Sequence, residues 1–390
     1  MTLHYEFPHD ITLEEVKSIV ANNSNFILAD KGNYSVANYI RAGNDVHVPV
    51  ANRDSAILRE LRGLIFCNTT GQVISRRFQK FFNYGEREDV MTLDLSQPHV
   101  ILDKLDGSMI TPFKINGKII WGSKMGETDL TKQIDEFMSN DYDMNNNYHS
   151  IYNYCEYNNL TPIFEWTSRQ QRIVVDYPED KLTLIAIRDN INGKYFTYNN
   201  MKYIADFFVI PVVNQFSYTG DNFNDILNYV KNMQEGEGIV IRFDDGHMVK
   251  IKADLYVTLH RAKSLIENER DVMELVLNEK VDDLYPLLYK EDAQKLHNYY
   301  KNVWDQIIDF VSLTQKLINN TSHMTRKEFA FHTANIGSGM RSIAFSCFDK
   351  KRVDIGNVTE YLLKNLGSNS RFERNREIVA TKWNYKNTSE

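Results

Sequence analysis

Residues 236–252 read Gly-Glu-Gly-Ile-Val-Ile-Arg-Phe-Asp-Asp-Gly-His-Met-Val-Lys-Ile-Lys. Two apolar runs, Ile239–Phe243 and Met248–Ile251, flank the dipeptide Asp245-Gly246. Asp-Gly favours a tight turn because such turns need positive φ, which these two residues tolerate. The segment therefore predicts an antiparallel hairpin. Alternation along its second strand places Lys250 and Lys252 on one face.

The same pattern of short apolar runs split by turn residues extends over residues 35–254. The turns are Asn68–Gly71, Asn116-Gly117 and Asn192-Gly193. The runs beside them are Leu61–Phe66 and Val73–Phe78, Ile110–Ile115 and Lys118–Trp121, and Leu182–Arg188 and Tyr195–Tyr198. One helix is expected around Asp129–Met138. This part of the chain is predicted to be an α+β domain rich in antiparallel sheet.

Helical patterns mark both ends of the chain. Near the N-terminus, Thr12 and Glu15 fit a capping box, followed by an apolar face made of Leu13, Val16 and Val20. Beyond residue 254 the sheet signals fade, and apolar residues recur at helical spacing: Val272, Leu275, Val276, Trp304, Ile307, Ile308 and Val311. We therefore expect an α+β domain over residues 1–254 and an all-helical domain over residues 255–390.

Composition sets broad limits. The 390 residues are 42% apolar and 12% aromatic, enough for two packed domains. Neither a membrane-length apolar stretch nor a secretion signal is found in the sequence, and the three cysteines are read as reduced thiols, so a cytoplasmic protein is expected. The net charge of −7 argues weakly against a polyanion partner. Basic residues concentrate between Lys350 and Lys386, where either a polyanion site or an ordinary solvated surface fits.

A candidate nucleophile lies in Lys104-Leu105-Asp106-Gly107-Ser108, which follows the apolar run Val100–Leu102. A lysine at a strand end, beside a glycine that permits close backbone approach, can present its amine to a phosphate. It must first lose its proton, and nearby cations and desolvation would lower its pKa from about 10.4. The motif alone also fits a surface turn.

Further short motifs accompany Lys104 in a fixed order. They are Arg62-Gly63, Lys80-Phe81-Phe82-Asn83, Ser123-Lys124-Met125-Gly126, Phe164-Glu165-Trp166, Glu237-Gly238-Ile239-Val240 and Val249-Lys250-Ile251-Lys252. Together they resemble the covalent nucleotidyltransferases, which include DNA ligases, RNA ligases and mRNA capping enzymes. The chain looks most similar to the tRNA-repair RNA ligases of T-even bacteriophages. That closer likeness uses Glu60–Phe66, Arg172–Val174, Lys250–Tyr256 and Gly337–Met340.

The resemblance implies a role for each basic residue. Lys104 would take AMP from ATP. Lys250 and Lys252 would contact the α-phosphate, where charge builds during transfer. Arg62 and Lys80 would bind the outer phosphates. The expected partners are thus ATP and RNA ends, with the broken anticodon loop of a tRNA as the preferred substrate.

The resemblance also implies roles for the carboxylates. Glu237 would hold Mg²⁺, for which Mn²⁺ can substitute, and Glu165 would bind the ribose with Lys124 nearby. The place of Glu237 depends on the hairpin turn. A two-residue loop puts Glu237 on the face of the two lysines, whereas a three-residue loop puts it opposite unless a bulge intervenes.

The remaining residues have mixed interpretations. Asp106-Gly107 would shape the Lys104 loop. Phe82 fits either a nucleotide contact or a core aromatic, and Arg172 fits a loop-orienting residue, an RNA contact or a salt bridge. Two departures from the family, Leu105 and Trp166, would alter the shape of the pocket but remove no required charge.

The expected activity is therefore ATP-dependent RNA ligation by a monomer in the cytoplasm, or in the host cytoplasm if a phage encodes the chain. DNA ligases and capping enzymes share the core motifs, but they append a small β-barrel where this chain reads helical. A non-catalytic RNA-binding protein with a ligase fold is a third possibility. The presence of Lys104, Glu165, Glu237 and both Lys250 and Lys252 argues against it.

Overall fold

The computed structural model describes residues 7–40, 46–86, 93–218 and 222–385. The first residues and Lys386, used above for the secretion signal and the basic cluster, lie outside these ranges. The chain divides into two compact units, residues 1–257 and residues 258–390. In the described part of the chain, no helix combines the length and apolar character needed to cross a membrane. The three cysteines form no disulfide.

The first unit is built on three four-stranded sheets. The first has the order β1-β2-β3-β4, with β1 (Phe26–Asp30), β2 (Tyr34–Tyr39), β3 (Arg62–Cys67) and β4 (Val73–Ser75). The second has the order β10-β9-β7-β8, with β7 (Ser108–Ile115), β8 (Lys118–Gly122), β9 (Leu160–Thr167) and β10 (Lys181–Asp189). The third has the order β5-β12-β11-β6, with β5 (Phe82–Asn83), β6 (His99–Asp103), β11 (Gly238–Phe243) and β12 (Met248–Lys252). The α+β class is confirmed.

Helices cover the sheets of the first unit and make up the second. The helices that begin in the first unit are α1 (Leu13–Val20), α2 (Arg53–Glu60), α3 (Asp129–Ser139), α4 (Tyr142–Tyr157), α5 (Tyr198–Phe207), α6 (Phe223–Lys231) and α7 (Asp254–Ile266). Those of the second unit are α8 (Glu269–Leu277), α9 (Lys290–Asn320), α10 (Arg326–His332), α11 (Ser338–Cys347), α12 (Ile355–Lys364) and α13 (Asn369–Phe372), with short 3₁₀ turns at Tyr285–Leu287 and Glu373–Glu377.

The turn signals predict some strands well and others poorly. Ile115 pairs with Lys118 across Asn116-Gly117, whose φ angles of 52° and 79° are those of the expected tight turn. The predicted strand Tyr195–Tyr198 is wrong: only the bridge from Arg188 to Tyr195 forms, and Tyr198 begins α5. Thr197 caps that helix by accepting from the Asn200 N–H, so the polar side chain starts a helix where the pattern suggested a strand.

Two other expectations hold in part. Thr12 caps α1 by accepting from the Glu15 N–H, and the Glu15 carboxylate accepts chiefly from Arg53. The predicted strand Val73–Phe78 ends at Ser75, because the Arg76 N–H donates to the Thr161 hydroxyl and leaves the ladder. The helix expected near Asp129 is confirmed as α3, whereas α2, α4, α5 and α6 were not predicted.

The second unit has a core of its own. Its central helix, α9, buries Leu296, Tyr299, Val303, Ile307, Phe310, Thr314 and Ile318. The expected apolar stripe is therefore wrong at one position: Ile307 is fully buried, but Ile308 is 52% exposed. The buried face follows spacings of three and four residues, as a helix that packs on one side requires.

Candidate active site

One carboxylate joins two of the predicted lysines. Glu237 Oε2 lies 2.7 Å from Lys104 Nζ, and Glu237 Oε1 lies 2.8 Å from Lys252 Nζ. The Glu237 side chain is 4% exposed, while those of Lys104 and Lys252 are 21% and 27% exposed. The Lys104 N–H also donates to the Gly238 carbonyl, so the lysine is held at the strand end by backbone and side chain. The predicted nucleophile, metal ligand and phosphate-binding lysine therefore meet in one place.

The hairpin register explains how Glu237 reaches the lysines. Arg242 pairs with Met248, and the Phe243 N–H donates to the His247 carbonyl, so the loop has three residues and the two-residue alternative is wrong. Regular alternation would then turn Glu237 away from Lys252. Gly238, however, has φ of +139°, and this irregular backbone turns Glu237 toward the lysines without a shift in the strand register. A Cβ there would lie 2.1 Å from the Ile251 carbonyl oxygen, so only glycine fits.

The loop after Lys104 is fixed by Asp106. One Asp106 oxygen accepts the Val174 and Val175 N–H groups at 2.7 and 2.8 Å, and the other accepts the Tyr256 hydroxyl at 2.6 Å. Asp106 is 4% exposed. A Cβ on Gly107 would lie 2.2 Å from the Trp166 carbonyl oxygen, so the chain passes too close to β9 for a larger residue. Both residues thus shape the loop in the structure as the sequence suggested.

Four cations face one another beside this loop. The pKa of Lys250 is lowered to about 7. Burial is the largest cause, and the charges of Lys80, Arg62 and Lys104 add to it. Lys250 Nζ also lies 5.3 Å from the centre of the Phe81 ring. Such repulsion between like charges is relieved when an anion binds among them. The cluster is therefore suited to a polyphosphate.

Tyr39, which the sequence did not single out, is the common neighbour of three basic residues. Lys124 Nζ lies 3.9 Å and Lys80 Nζ 5.6 Å from the centre of its ring. Burial opposes ionisation of Tyr39, but the charges of Arg62, Lys124 and Lys80 outweigh it and lower its pKa. Lys124 therefore lies with Lys80 and Arg62 around Tyr39, whereas the sequence had placed it near Glu165. No periodic or motif signal in the sequence distinguished Tyr39 among the 22 tyrosines of the chain.

Glu165 lies on β9 opposite Met109 of β7, where it faces the same cavity as Lys104. The pKa of Glu165 is raised to about 7, chiefly by burial and also by the charge of Glu237, while the charges of Lys104 and Arg62 limit the rise. Glu165 is thus partly protonated near neutral pH, and can donate as well as accept hydrogen bonds. That suits a ligand with hydroxyl groups.

The cavity between Lys104 and Glu165 has a volume of about 210 Å³ and is largely apolar. Its apolar lining includes Phe78, Phe81, Leu102, Met109, Ile185, Val213, Val240 and Met248. Phe82 is 2% exposed and packs against Val249, which fits the core interpretation of this residue. The adjacent Phe81 faces the cavity instead. A two-residue period alone could not decide which phenylalanine points inward.

A buried ion cluster joins the end of α2 to the residue after β4 and to β10. Glu60, at the end of α2, accepts Arg188 at 2.7 Å and Arg76 at 3.0 Å, and all three side chains are at most 1% exposed. The pKa of Glu60 is lowered: burial opposes ionisation, but the two guanidinium groups outweigh it. Glu60 contributed to the family likeness, and this structural role was not foreseen.

Other predicted basic residues have protein partners. Arg172 lies 3.4 Å from the Asp176 carboxylate and donates to the Val174 carbonyl, which fits the salt-bridge interpretation. Within the basic cluster near the C-terminus, Lys364 pairs with Glu360 and Arg376 pairs with Glu269. Part of that cluster is therefore neutralised inside the second unit.

The donor set suits a divalent cation that shares its coordination with a nucleotide. No group of three or more His, Cys, Asp or Glu side chains that could hold a metal ion by itself occurs among the described residues. Magnesium usually binds through one or two carboxylates together with substrate phosphates and water. Glu237, which is close enough to Glu165 for its charge to raise the pKa of that carboxyl, meets that requirement.

These features together make a site suited to a nucleotide, in which a lysine and its carboxylate partner lie among further cations. A family model described as RNA ligase matches residues 60–256. The chain belongs to this RNA ligase family, which confirms the resemblance to the phage enzymes. The matched range contains every predicted site residue.

Two curated relatives are 29% identical to this chain. One is a putative bifunctional polynucleotide kinase/RNA ligase of Autographa californica nuclear polyhedrosis virus, aligned over 70% of this chain and 41% of the relative. The other is a putative RNA ligase of Thermovibrio ammonificans, aligned over 60% of this chain and 61% of the relative. The chain thus spans about half the length of these relatives. A solved archaeal ATP-dependent RNA ligase gives a TM-score of 0.45 at 11% identity, covering 87% of this chain and 96% of that chain.

Proposed function

We propose that this protein is an ATP-dependent RNA ligase that joins 5′-phosphate and 3′-hydroxyl RNA ends through lysyl-AMP and RNA-adenylate intermediates. The observation that carries the proposal is the meeting of Lys104, Glu237 and Lys252 at one end of a cavity lined by Glu165. The family supports the class of reaction, and the contacts support the roles of the residues.

In the first step Lys104 Nζ attacks the α-phosphorus of ATP. A nitrogen–phosphorus bond forms, the bond from that phosphorus to the bridging oxygen breaks, pyrophosphate leaves, and the Nζ proton is released to solvent. Lys250 and Lys252 stabilise the charge that builds on the α-phosphate oxygens. Arg62 and Lys80 hold the outer phosphates and so orient the leaving group.

The two later steps use the same cations. A 5′-phosphate oxygen of RNA attacks the lysyl-AMP phosphorus, which breaks the nitrogen–phosphorus bond and forms a 5′–5′ pyrophosphate linkage. A 3′-hydroxyl then attacks the RNA phosphorus, loses its proton and expels AMP. Glu165 would hold the ribose hydroxyls of the adenylate throughout, with Phe81 and Val240 against the nucleotide.

Glu237 is the residue that would hold Mg²⁺, or Mn²⁺ in its place. The bound cation would supply positive charge at the phosphates. In the structure the Glu237 carboxylate bridges Lys104 and Lys252.

The alternatives keep the same pocket but change the substrate. A DNA ligase or capping enzyme would carry a small β-barrel after the Lys-x-Lys strand, whereas α7 follows β12 here and the second unit is helical in its described part. A non-catalytic RNA-binding protein would not need Lys104 and Glu237 in contact. RNA ligation therefore fits better than either.

The natural substrate is proposed by family likeness. We propose that the second unit gives preference for a tRNA broken in its anticodon loop, and that the protein acts as a monomer in the cytoplasm, that of the host if a phage encodes it. Deleting residues 260–390 should preserve lysyl-AMP formation and weaken tRNA sealing. Equal loss of both activities would contradict this division of roles.

The first experiment is incubation with α-labelled ATP and Mg²⁺ in the absence of RNA. Wild-type protein should take up label, Lys104→Ala should take up none, and Lys202→Ala should match wild type because Lys202 pairs with Asp206 at 2.9 Å on the exposed face of α5. Failure of wild-type labelling, or full labelling of Lys104→Ala, would refute the mechanism.

A second experiment separates the ligase classes. Wild-type protein should seal single-stranded RNA that carries a 5′-phosphate faster than a nick in duplex DNA, and should take up little label from α-labelled GTP. Faster sealing of nicked DNA would indicate a DNA ligase. Preferential labelling by GTP would indicate a capping-type enzyme.

A further inference from the structure

Arg242 is a buried charged residue in the wall of the nucleotide cavity. It lies on β11, where Ile239, Ile241 and Phe243 pack into the core on one face. Val240 and Arg242 occupy the other face and line the cavity with Lys104 and Glu165. Arg242 is 4% exposed. A guanidinium group has thus been placed where the surrounding lining is apolar.

The hydrogen-bonding capacity of Arg242 is incompletely used. Its Nη1 donates to the Ile185 carbonyl at 3.4 Å, a long bond, and its Nη2 is buried without a hydrogen-bond partner among the described residues. No carboxylate in the described ranges forms an ion pair with it. Burial lowers the pKa of Arg242 to about 10, so the side chain remains a cation at neutral pH. Arginine has only donors, so what is missing is an acceptor.

Three other buried arginines of this unit have more hydrogen-bond partners than Arg242. Arg76 and Arg188 share the Glu60 carboxylate. Arg77 donates to the Thr111 hydroxyl at 2.6 Å and to the carbonyls of residues 122 and 123. A buried guanidinium that lacks such partners destabilises the folded protein. The unsatisfied Nη2 of Arg242 therefore points to a ligand that accepts a hydrogen bond from it.

The position along the sheet indicates which part of a nucleotide would lie there. From the phosphate-binding end, the paired positions of β11 and β12 run from Gly238 and Lys252, through Val240 and Lys250, to Arg242. Arg242 is four residues from Gly238 along β11, a distance of about 13 Å. Because base and phosphates extend from opposite sides of the ribose, the base lies toward Arg242.

We propose that Arg242 binds the nucleobase by donating from Nη2 to a ring-nitrogen acceptor of adenine. Adenine carries such acceptors on its ring, N7 among them, and each can receive a guanidinium N–H. This inference rests on the proposed ATP-dependent activity and adds a base-reading residue to it.

Arg242 also lines a second cavity, of about 300 Å³, together with Tyr195, Tyr198 and Asp244. The Asp244 carboxylate makes that second cavity unfavourable for an anion. The uncharged ring nitrogens of a base in the first cavity are therefore the better match for the unused donor.

The test pairs a change in the protein with a change in the ligand. The rate of lysyl-AMP formation is measured against the concentration of ATP, 1-deaza-ATP, 3-deaza-ATP and 7-deaza-ATP, for wild type, Arg242→Met and a control, Arg169→Met. Arg169 is an exposed arginine that pairs loosely with Asp176. Methionine matches the length of the arginine stem without its donors, and removal of an unpaired buried charge should leave the melting temperature unchanged or higher.

In wild type, one deaza analogue should raise KM by about 5- to 100-fold, as expected when a buried donor loses its acceptor. Arg242→Met should raise KM for ATP by a similar factor and should respond no further to that analogue. Arg169→Met should behave as wild type. Equal responses of wild type and Arg242→Met to all three analogues would overturn the inference while leaving the ligase activity in place. Absence of labelling in wild type would overturn both.

Discussion

Replacing Gly238 by alanine tests how the hairpin delivers Glu237 to the lysines. Gly238 has φ of +139°, and its Cβ would lie 2.1 Å from the Ile251 carbonyl oxygen and 2.8 Å from Lys252 Cα. Backbone, not a flexible side chain, must therefore move. The strain should cost about 1–3 kcal/mol, which lowers the melting temperature by about 2–12 °C for a domain of this size.

The effect on the chemistry should exceed the effect on stability. Displacing the backbone at Gly238 separates Glu237 from Lys104 and Lys252, which it now holds at 2.7 and 2.8 Å. Loss of one preorganised charged group typically slows a reaction about 100- to 1,000-fold. We expect Gly238→Ala to form lysyl-AMP at least about 100-fold more slowly while remaining folded.

The assay is a time course of label uptake from α-labelled ATP, with circular dichroism melting of the same samples. Gly117→Ala is the matched control, because Gly117 has φ of +79° but no atom within 4 Å of its Cβ position. That variant should lose about 1–2 kcal/mol of stability and no activity. A labelling rate for Gly238→Ala within about threefold of wild type, or equal loss in both variants, would refute this account of the site.

Three further changes test other parts of the structure. Glu60→Gln leaves Arg76 and Arg188 without their carboxylate, which should lower stability by about 3–5 kcal/mol in urea melts; a loss below about 1 kcal/mol would contradict the buried cluster. Glu165 has a pKa raised from 4.5 to about 7, so the wild-type folded state loses stability as pH rises through this range. Glutamine does not ionise, so the free energy of unfolding of Glu165→Gln should rise relative to that of wild type by up to about 3 kcal/mol between about pH 5 and pH 9. A stability difference that does not change with pH would count against that pKa. Asp106→Asn weakens charge-assisted bonds to two backbone N–H groups, so it should destabilise by about 1.5–3 kcal/mol per bond lost and slow labelling; normal melting and labelling together would show that the loop needs no such anchor.

The sequence predicted the general architecture because its signals are local. Asn116-Gly117 determined one hairpin through its own φ preferences, and the helix expected around Asp129–Met138 formed as α3. The strand Tyr195–Tyr198 failed because the cap at Thr197 and the packing of α5 decide the conformation of a short apolar run that periodicity alone leaves ambiguous.

Much of the site geometry depends on long-range register. Alternation placed Lys250 and Lys252 together, but whether Glu237 joined them depended on the turn length and on the backbone at Gly238, neither of which a hydrophobic pattern reports. The position of Phe81 in the cavity, and not Phe82, depends likewise on the pairing of β5 with β12. The contacts of Tyr39 and Arg242 arise only when distant strands are brought together.

The most direct test of the central claim is identification of the residue that carries AMP. Wild-type protein incubated with ATP and Mg²⁺ is digested and analysed by tandem mass spectrometry under conditions that preserve the phosphoramidate. Lys250, whose pKa is lowered to about 7, is the competing nucleophile, because an amine with that pKa is partly unprotonated at neutral pH. The account predicts a single adenylate on Lys104, with Lys250 unmodified. An adenylate on Lys250, or none on Lys104, would contradict it.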